Sequence, residues 1–523
     1  MPGQPRLASR KRDAHVNINA YASLPALLDE TFRRHAERPA MECMGSRVSY
    51  GEVDELSRAL GGWLASLGLS NAARVGVMMP NLPQYMVTIA AILRAGLVVV
   101  NINPLYTARE LRHQLKDSGA EVIVVLENFA NVLADVVEET AVRHVLLTSM
   151  GDLLGSWKGV AVNLVVRHLK KLVPEFRLPS SGGRTVTPLW AAISQGRRQR
   201  WTPVAVGPDD VAFLQYTGGT TGLSKGATLL HRNVVANVLQ VEAWFMPMLK
   251  RVGDRQMVVV CALPLYHIFA LTICALFGSR LGAMSVLIPN PRDLPAFVST
   301  LRRHRVNMFP AVNTLFNALL AEPGFSQVDF SGLLVSNGGG MAVQQATAQH
   351  WLEVTGCPVV EGYGLSETSP VATSNRVDST QFTGTIGLPL PNTDIAIRDD
   401  AGVDVAPGEA GEICIRGPQV MAGYWNQPEE TARVMTADGF FKSGDVGTMD
   451  AAGQVRIVDR KKDMILVSGF NVYPTEIEQI INLHPGVLEC AAVGVPDVRS
   501  GEAVRLYVVK RDATILRREL RHS

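Results

Sequence analysis

A segment rich in glycine and hydroxyl residues carries the strongest chemical signal in this sequence. It reads Leu214-Gln215-Tyr216-Thr217-Gly218-Gly219-Thr220-Thr221-Gly222-Leu223-Ser224-Lys225-Gly226 and follows a predicted strand, Val211–Gln215. Glycines let backbone N–H groups converge on an anion, while the hydroxyls and Lys225 add donors and positive charge. The segment is not a Walker A loop, because Lys225 follows Ser224 and not a glycine. A solvated linker would explain neither the terminal lysine nor the preceding strand, so the sequence predicts phosphate binding.

Alternating strands and helices must position this loop. The early pattern is a strand over Arg74–Met79, a helix from about Pro83 to Arg94, a strand over Leu97–Val100, a helix opened by the capping box of Thr107 and Glu110 and ended near Gly119, and a strand over Glu121–Leu126. Apolar strands between helices indicate a parallel sheet buried on both faces. A second stretch of this kind spans about 210–370.

Later in the chain the sequence pattern no longer alternates between strands and helices. Residues 384–455 contain short strands and many Gly and Pro, which predicts a small β-rich subdomain. The predicted fold class is therefore α/β: a large N-terminal domain over 1–458, built of two parallel-type α/β subdomains plus the β-rich one, followed by a small, truncated α+β C-terminal lid over 459–523.

Composition restricts the class of protein. At roughly 100–200 residues per domain, 523 residues predict two or three bodies. Fifty Lys and Arg oppose 48 Asp and Glu, and this net charge of +2 argues against a nucleic-acid binder, which needs a strongly basic face. Six cysteines without C-x-x-C spacing argue against a disulfide scaffold or a cysteine-rich zinc site. With no apolar core after the basic N-terminal residues, a cytoplasmic location is predicted.

Two segments raise the question of a membrane. Met257–Phe277 has no formal charge over a length that could span a bilayer, but Val258–Ala262 and Pro264 favour a buried strand, a turn and a core helix. Val162–Val173 has the pattern of a basic amphipathic helix, with Arg167, Lys170 and Lys171 opposite its apolar side. A surface helix packed on the core is the preferred interpretation, and peripheral contact with the inner face of a membrane is the alternative.

Further motifs stand in the order typical of the adenylate-forming superfamily, which includes acyl-CoA synthetases, peptide-synthetase adenylation domains and firefly-type luciferases. The loop resembles the phosphate loop of that family, and the resemblance covers nearly the whole chain to about residue 512. The Y-G-x-T-E motif of the family, with serine for threonine, is matched by Glu361-Gly362-Tyr363-Gly364-Leu365-Ser366-Glu367, and the T-G-D motif is matched by Ser443-Gly444-Asp445. The hinge of the family resembles Asp459-Arg460-Lys461-Lys462-Asp463, and the segment after the hinge resembles Gly469-Phe470-Asn471-Val472-Tyr473-Pro474. Leu263–His267 and the run Asp459–Pro474 look closest to bacterial long-chain fatty acyl-CoA synthetases.

The resemblance implies a role for each matched residue. Tyr363 would stack on adenine, with the turn Gly338-Gly339-Gly340 closing the other side, and Asp445 would hold the ribose hydroxyls. Lys225, Glu367 and His267 are the predicted catalytic residues, and Glu367 and Thr217 the predicted Mg²⁺ ligands. His267 would line the acyl pocket, although a core histidine is nearly as good an interpretation. The predicted nucleotide- and CoA-binding residues are Tyr216, Thr217, Gly218, Gly219, Thr220, Thr221, Gly222, Ser224, Lys225, Gly226, Gly338, Gly339, Gly340, Glu361, Gly362, Tyr363, Gly364, Ser366, Asp445, Arg460, Lys462 and Gly469.

The activity implied by the resemblance has two halves. A long-chain fatty acid and ATP, with Mg²⁺, give acyl-adenylate and pyrophosphate, and CoA then displaces AMP. A nucleotide- and acyl-binding pseudoenzyme and a ligase that serves a carrier protein are the alternatives. A homodimer is a further expectation.

The C-terminus departs from the family pattern. In the family, a body of roughly a hundred residues follows the hinge and ends in a motif whose lysine enters the active site. Here Lys510-Arg511-Asp512 runs directly into Ala513-Thr514-Ile515-Leu516-Arg517-Arg518-Glu519-Leu520-Arg521, with Thr514 in the place of that lysine. An internal deletion near 512–514 is predicted, natural or an artefact of the sequence, and with it an impaired adenylation half.

Overall fold

A computed structural model describes residues 16–179, 181–217, 224–461, 463–467, 470–482, 484, 486–497 and 501–510. Several residues singled out above lie outside this described part: Gly218, Gly219, Thr220, Thr221, Gly222, Lys462, Gly469 and the C-terminal residues 511–523, Thr514 among them.

Helices and strands alternate through most of the described chain. The α-helices are α1 Leu24–Arg34, α2 Tyr50–Ala65, α3 Pro83–Arg94, α4 Ala108–Ser118, α5 Ala130–Ala134, α6 Ser156–Leu164, α7 Leu189–Gly196, α8 His231–Val252, α9 Ile268–Ala270, α10 Gly278–Arg280, α11 Leu294–Leu301, α12 Asn313–Ala321, α13 Gln345–Thr355, α14 Pro428–Val434 and α15 Pro474–Ile481. Short 3₁₀ segments cover Glu127–Phe129, Val137–Glu139, Ser181–Gly183, Phe325–Gln327 and Ser366–Thr368, and π-turns cover Val165–Leu169 and Leu271–Phe277.

The strands are β1 Pro39–Cys43, β2 Ser46–Ser49, β3 Arg74–Met78, β4 Val98–Asn101, β5 Val122–Leu126, β6 His144–Thr148, β7 Thr185–Pro188, β8 Val211–Thr217, β9 Lys225–Leu230, β10 Val258–Cys261, β11 Met284–Leu287, β12 Met308–Ala311, β13 Val335–Gly338, β14 Val359–Gly364, β15 Val371–Ser374, β16 Leu388–Pro389, β17 Asp394–Arg398, β18 Gly411–Arg416, β19 Gly423–Tyr424, β20 Phe441–Met449, β21 Val455–Arg460, β22 Ile465–Val467, β23 Phe470–Val472, β24 Val487–Asp497 and β25 Gly501–Lys510.

Two largely parallel sheets form the large body. The first runs β19-β9-β8-β4-β3-β5-β6-β7 and the second β16-β15-β14-β13-β12-β10-β11-β1-β2, with antiparallel pairs confined to the outer strands of each. The predicted capping box of Thr107 and Glu110 is present, and Gly119 ends that helix in the left-handed region at φ 59°. The α/β prediction and the early element order are confirmed, with boundaries shifted by one residue at β3, β4 and β5.

The uncharged run over residues 257–277 belongs to the core of the second sheet. It forms β10, a turn through Pro264 and a buried helical stretch that includes Leu271–Phe277. Among the described residues, no helix combines the length and apolar character needed to cross a bilayer.

The surface helix predicted over Val162–Val173 has different limits and a different orientation. The helical stretch consists of α6 and the π-turn, so it covers 156–169 and stops before Lys171, which has a φ of 49°. Val162 and Val166 point inward, but Leu169 is 78% exposed and Leu172 is 51% exposed. The expectation that the apolar side packs on the core is therefore wrong for the second half of this segment.

Two small antiparallel sheets follow the large body. The first, β17-β18-β20-β21, is the predicted β-rich region, and the second, β23-β22-β25-β24, carries α15 and lies beyond the hinge. In the described part of the second body, the buried apolar side chains are Ile465, Pro474, Ile481, Val487 and Ala492. Its long hairpin, β24–β25, exposes apolar side chains at Leu488, Val493, Val504, Tyr507 and Val509.

Candidate active site

The glycine turn and the Y-G motif meet because their strands are parallel neighbours. β13 ends at Gly338 and lies opposite Glu361 of β14, so both segments emerge at the carboxyl edge of the second sheet. That edge borders a cavity of about 1690 Å³. Ligand sites of open α/β sheets lie at this edge. The predicted residues that line the cavity are Thr217, Lys225, His267, Gly338, Gly339, Gly340, Glu361, Gly362, Tyr363, Gly364, Ser366, Glu367, Asp445 and Arg460.

The base of the phosphate loop is fixed by a hairpin. Thr217 at the end of β8 pairs with Lys225 at the start of β9, so the hydroxyl and the lysine enter the cavity side by side. Tyr216, by contrast, packs its ring into the core of the first sheet and donates its hydroxyl hydrogen to Asp117. Among the described loop residues, Tyr216, Ser224 and Gly226 do not line the cavity.

Lys225 and Glu367 are joined through residues that the motifs did not reveal. The Lys225 Nζ forms an ion pair with Glu430 on α14 and lies 5.3 Å from the centre of the Tyr424 ring. The Tyr424 hydroxyl donates to Glu367 Oε1 at 2.7 Å. Burial raises the pKa of Glu367, because a desolvated carboxylate loses hydration that its hydrogen bonds, including the one from Tyr424, do not fully replace. A cation at this point would stabilise the ionised carboxylate.

A second pair of motif residues forms a polar face across the cavity. The Tyr363 hydroxyl donates to Asp445 Oδ2 at 2.6 Å, and Arg460 Nε lies 3.6 Å from Asp445 Oδ1. β20 and β21 place Asp445 directly opposite Arg460. The hinge is tied to the small body, since Asp459 Oδ2 accepts a hydrogen bond from the Thr475 N–H at 3.0 Å. The ribose side of the predicted nucleotide site thus adjoins the joint between the two bodies.

Close backbone approach explains two of the glycines at this edge. A Cβ on Gly364 would lie 1.7 Å from the Pro370 carbonyl oxygen, so no side chain fits there. A Cβ on Gly339 would lie 3.1 Å from the Phe269 ring and 3.2 Å from the Gly362 carbonyl oxygen. Glycine is therefore required at Gly364, and at Gly339 a side chain would force its neighbours to shift by a few tenths of an ångström.

Glu361 is a buried carboxyl on β14, two residues before Tyr363. Its Oε1 accepts the Val343 N–H at 3.0 Å, and burial raises the pKa of Glu361 to about 7. The neighbouring Asn337 is 6% exposed, and its Oδ1 has no hydrogen-bond partner among the residues that the structure describes. Because Asn337 lines the cavity, its Oδ1 is an acceptor open to a donor group of a purine.

The raised pKa of Glu361 predicts a pH-dependent stability. An acid whose pKa is higher in the folded state takes up a proton on folding, so the free energy of unfolding falls as the pH rises from 4.5 towards 7. The free energy of unfolding falls by at most about 3 kcal/mol through this group. Glu361→Gln keeps an acceptor for Val343 and removes the charge. We expect it to match the parent chain near pH 4.5 and to exceed it at pH 8, as measured by urea unfolding.

Glu353→Gln is the matched control, because Glu353 is exposed on α13. A Glu361→Gln effect that is the same at both pH values would contradict the prediction.

The other wall of the cavity is apolar. His267 caps α9, accepts the Phe269 N–H at 3.3 Å and is open to the cavity, which does not fit the core-histidine alternative. Surrounding protein lowers the pKa of His267 by desolvation. Apolar side chains from α8 and the helical stretch after His267 continue this wall: Val241, Phe245, Ile268 and Ile273. One cavity thus has a polar, charged end and an apolar end.

Glu430 was not predicted as part of the site, and its contact with Lys225 has a measurable consequence. A phosphate that approaches Lys225 must displace the Glu430 carboxylate. We expect Glu430→Gln to lower the KM for ATP roughly two- to fivefold, because exposed ion pairs are weak. Glu429→Gln, one residue earlier on α14 and exposed, is the control. A raised KM in Glu430→Gln would mean that Glu430 helps to bind ATP.

The residues present fit a nucleotide and a magnesium ion. Asn337 Oδ1 can accept a hydrogen bond from a purine, and the Asp445 carboxylate can accept hydrogen bonds from ribose hydroxyls. Thr217 and Lys225 provide a hydroxyl donor and a positive charge for a phosphate. Mg²⁺ on phosphates needs only one or two protein oxygens, and Glu367 and Thr217 provide a carboxylate and a hydroxyl. Within the described residues, no cluster of three or more His, Cys, Asp or Glu could hold a metal by itself.

Comparison with known proteins agrees with this geometry. The profile of the AMP-binding enzyme family matches residues 28–425, and that of the AMP-binding enzyme C-terminal domain matches 476–523. The chain belongs to the AMP-binding enzyme family.

Its relatives include the long-chain-fatty-acid–CoA ligase of Escherichia coli O157:H7, 49% identical over 97% of this chain and 89% of the relative. The long-chain-fatty-acid–CoA ligase of Salmonella typhimurium is 50% identical over 96% of this chain and 88% of the relative. Among solved structures, an ATP-bound RpMatB-BxBclM chimera has a TM-score of 0.78 and 27% identity, covering 94% of this chain and 90% of its own.

Proposed function

We propose that this chain is an ATP-dependent long-chain-fatty-acid–CoA ligase. The observation that carries the proposal is that one cavity has both a polar end suited to a nucleotide and an apolar end. The 49–50% identity to curated long-chain-fatty-acid–CoA ligases over nearly the whole chain supports the substrate class.

In the first half-reaction, a carboxylate oxygen of the fatty acid attacks the α-phosphorus of ATP, and pyrophosphate leaves. Tyr363 and Asp445 orient the adenosine, and Lys225 with Thr217 holds the phosphates. Bound Mg²⁺, held by Glu367, would supply charge neutralisation. The rate enhancement comes from positioning and electrostatic stabilisation, because phosphoryl transfer needs little covalent help from protein.

In the second half-reaction, the CoA sulfur attacks the acyl carbonyl and AMP leaves as the adenylate bond breaks. The hinge at Asp459 and Arg460 lets the small body change its position between the halves. Gly469, predicted to line the CoA channel, remains a proposal from the resemblance. A homodimer and a peripheral membrane contact also remain proposals.

The test is a pyrophosphate-exchange assay with palmitate, run beside an assay for palmitoyl-CoA. Both activities support the ligase. Exchange without acyl-CoA favours a ligase that serves a carrier protein, and ligand binding without either activity favours a pseudoenzyme.

Thr514 stands in the place of the family lysine, so we predict that the adenylation half-reaction is slowed more than the thioester half-reaction. Single-turnover rates from fatty acid plus ATP should fall further below those of a relative than rates from supplied acyl-adenylate. Thr514→Lys should raise the first rate selectively. If the two halves are slowed equally, the cause is the small body as a whole and not the missing charge.

A further inference from the structure

A row of buried hydrogen bonds connects the first sheet to the segment that carries His267. We call it the amide bridge, and it consists of the side chains of Tyr85, Asn101 and Gln215. The Tyr85 hydroxyl donates to Asn101 Oδ1 at 2.6 Å, and Asn101 Nδ2 donates to Gln215 Oε1 at 2.9 Å. Gln215 Nε2 donates to the Tyr266 carbonyl oxygen at 2.8 Å, one residue before His267. All three residues of the bridge are at most 3% exposed, so bulk water does not compete for these bonds.

The direction of the amide bridge is fixed at its two ends. The Tyr266 carbonyl oxygen can only accept a hydrogen bond, so Gln215 must present its amide nitrogen there and its amide oxygen to Asn101. At the other end, burial raises the pKa of Tyr85, which keeps its hydroxyl protonated and able to donate. Each amide therefore has one orientation that satisfies both of its neighbours, and the bridge holds the Tyr266 backbone in one place.

The amide bridge joins two parts of the candidate active site through β8. Gln215 lies on β8 two residues before Thr217, and Asn101 lies opposite it on β4. Thr217 and His267 line the cavity, whereas Gln215 and Tyr266 do not. Gln215 thus links the strand that leads into the phosphate loop to the turn that leads into His267, without reaching the cavity itself.

A second buried amide holds the earlier part of the same turn. Asn81 Nδ2 donates to the carbonyl oxygens of Cys261 at 2.9 Å and Leu263 at 2.8 Å, and Asn81 Oδ1 accepts the Leu265 N–H at 2.8 Å. Asn81 therefore anchors residues 261–265. Gln215 anchors the next residue, which directly precedes His267.

We propose that Gln215 is a positioning residue for acyl-adenylate formation, which holds His267 at a fixed place relative to the phosphate loop. This inference rests on the ligase function proposed above. Gln215 acts through the backbone of Tyr266, and the His267 ring follows that backbone because its Nδ1 also accepts the Phe269 N–H at 3.3 Å. Such placement matters for rate, since a displacement of about 1 Å can slow a reaction about 10²-fold.

The kinetic test uses Gln215→Leu, which removes both hydrogen bonds at a similar side-chain size. We expect the kcat for pyrophosphate exchange to fall roughly ten- to a hundredfold, and the KM for ATP to change by less than about twofold. Gln84→Leu is the matched control, because Gln84 is a fully buried glutamine that donates to the Ser149 carbonyl oxygen at 3.0 Å and does not line the cavity. Tyr85→Phe is a milder variant that removes only the hydroxyl at the far end of the bridge, and it should lower kcat roughly two- to fivefold.

A double substitution shows whether Gln215 acts through His267. Gln215→Leu combined with His267→Ala should be no slower than His267→Ala alone, because two residues that act as a unit have non-additive effects. Losses that multiply in the double variant would overturn the proposal. A raised KM for ATP at an unchanged kcat in Gln215→Leu would also overturn it, since Gln215 would then support only the phosphate loop.

A measurement without turnover separates this proposal from the proposed function. In the ligand-free chain with ¹³C-labelled histidine, the ring signal of His267 is the signal that His267→Ala removes. Gln215→Leu should shift this signal, and Gln84→Leu should leave it unchanged. An unshifted signal in Gln215→Leu would overturn the positioning role even in an active ligase. A shifted signal in a chain without pyrophosphate exchange would refute the proposed function alone, because the placement of His267 by Gln215 would stand.

Discussion

Replacing Lys225 by methionine is expected to slow acyl-adenylate formation about 10²–10³-fold, because it removes a preorganised charge that acts on the developing phosphoryl transition state. Lys225 lines the cavity beside Thr217 at the base of the phosphate loop. Its side chain is 32% exposed, so methionine fits without overpacking. Pyrophosphate exchange gives kcat/KM for the first half-reaction. Thr217→Ala should lose less, since a neutral donor contributes less than a cation.

Lys250→Met is the matched control for Lys225→Met, because Lys250 is an exposed lysine near the end of α8 and does not line the cavity. Exchange rates in Lys225→Met that equal those of Lys250→Met would show that another group holds the phosphates, and the loop assignment would fail.

Replacing Glu367 by glutamine is expected to lower the adenylation rate about a hundredfold and to raise the Mg²⁺ concentration needed for half-maximal rate. Glutamine keeps the size of the side chain and can still accept the Tyr424 hydroxyl, so only the negative charge is lost. The parent carboxylate is buried, and its pKa is raised by desolvation. Removing it should therefore not destabilise the fold.

Tyr424→Phe separates the two roles of this contact. It removes the hydrogen bond to Glu367 and keeps the carboxylate, so the Mg²⁺ requirement should change far less than in Glu367→Gln. Equal losses in the two variants would mean that Glu367 acts only by positioning Tyr424 against Lys225, and the metal assignment would be wrong.

Local sequence signals predicted much of the fold because they act within a few residues. The capping box of Thr107 and Glu110 and the break at Pro264 are set by backbone geometry, and the structure has both. The orientation of the 156–169 helix was not predictable. It depends on Glu127, which is buried in a different segment and attracts Arg167 inward.

In the candidate active site, too, local motifs could be predicted and contacts between distant segments could not. Tyr363 and Asp445 could be found from motifs, and parallel pairing of β13 and β14 explains why the glycine turn lies beside them. Glu430 and Tyr424 lie about two hundred positions after Lys225, and Asn337 has no motif of its own. These three residues reach the site through packing between elements that are far apart in the chain, and a single sequence gives no local signal for such packing.

The exposed apolar side chains of the β24–β25 hairpin have a consequence for how this chain melts. The described part of this body has only a small buried core to resist local opening, so we expect its amide hydrogens to exchange with solvent sooner than those of the two parallel sheets. Unfolding then is not one all-or-none event. A single melting temperature would average two separate transitions, and a buried substitution such as Glu361→Gln is best followed by a probe inside the larger body.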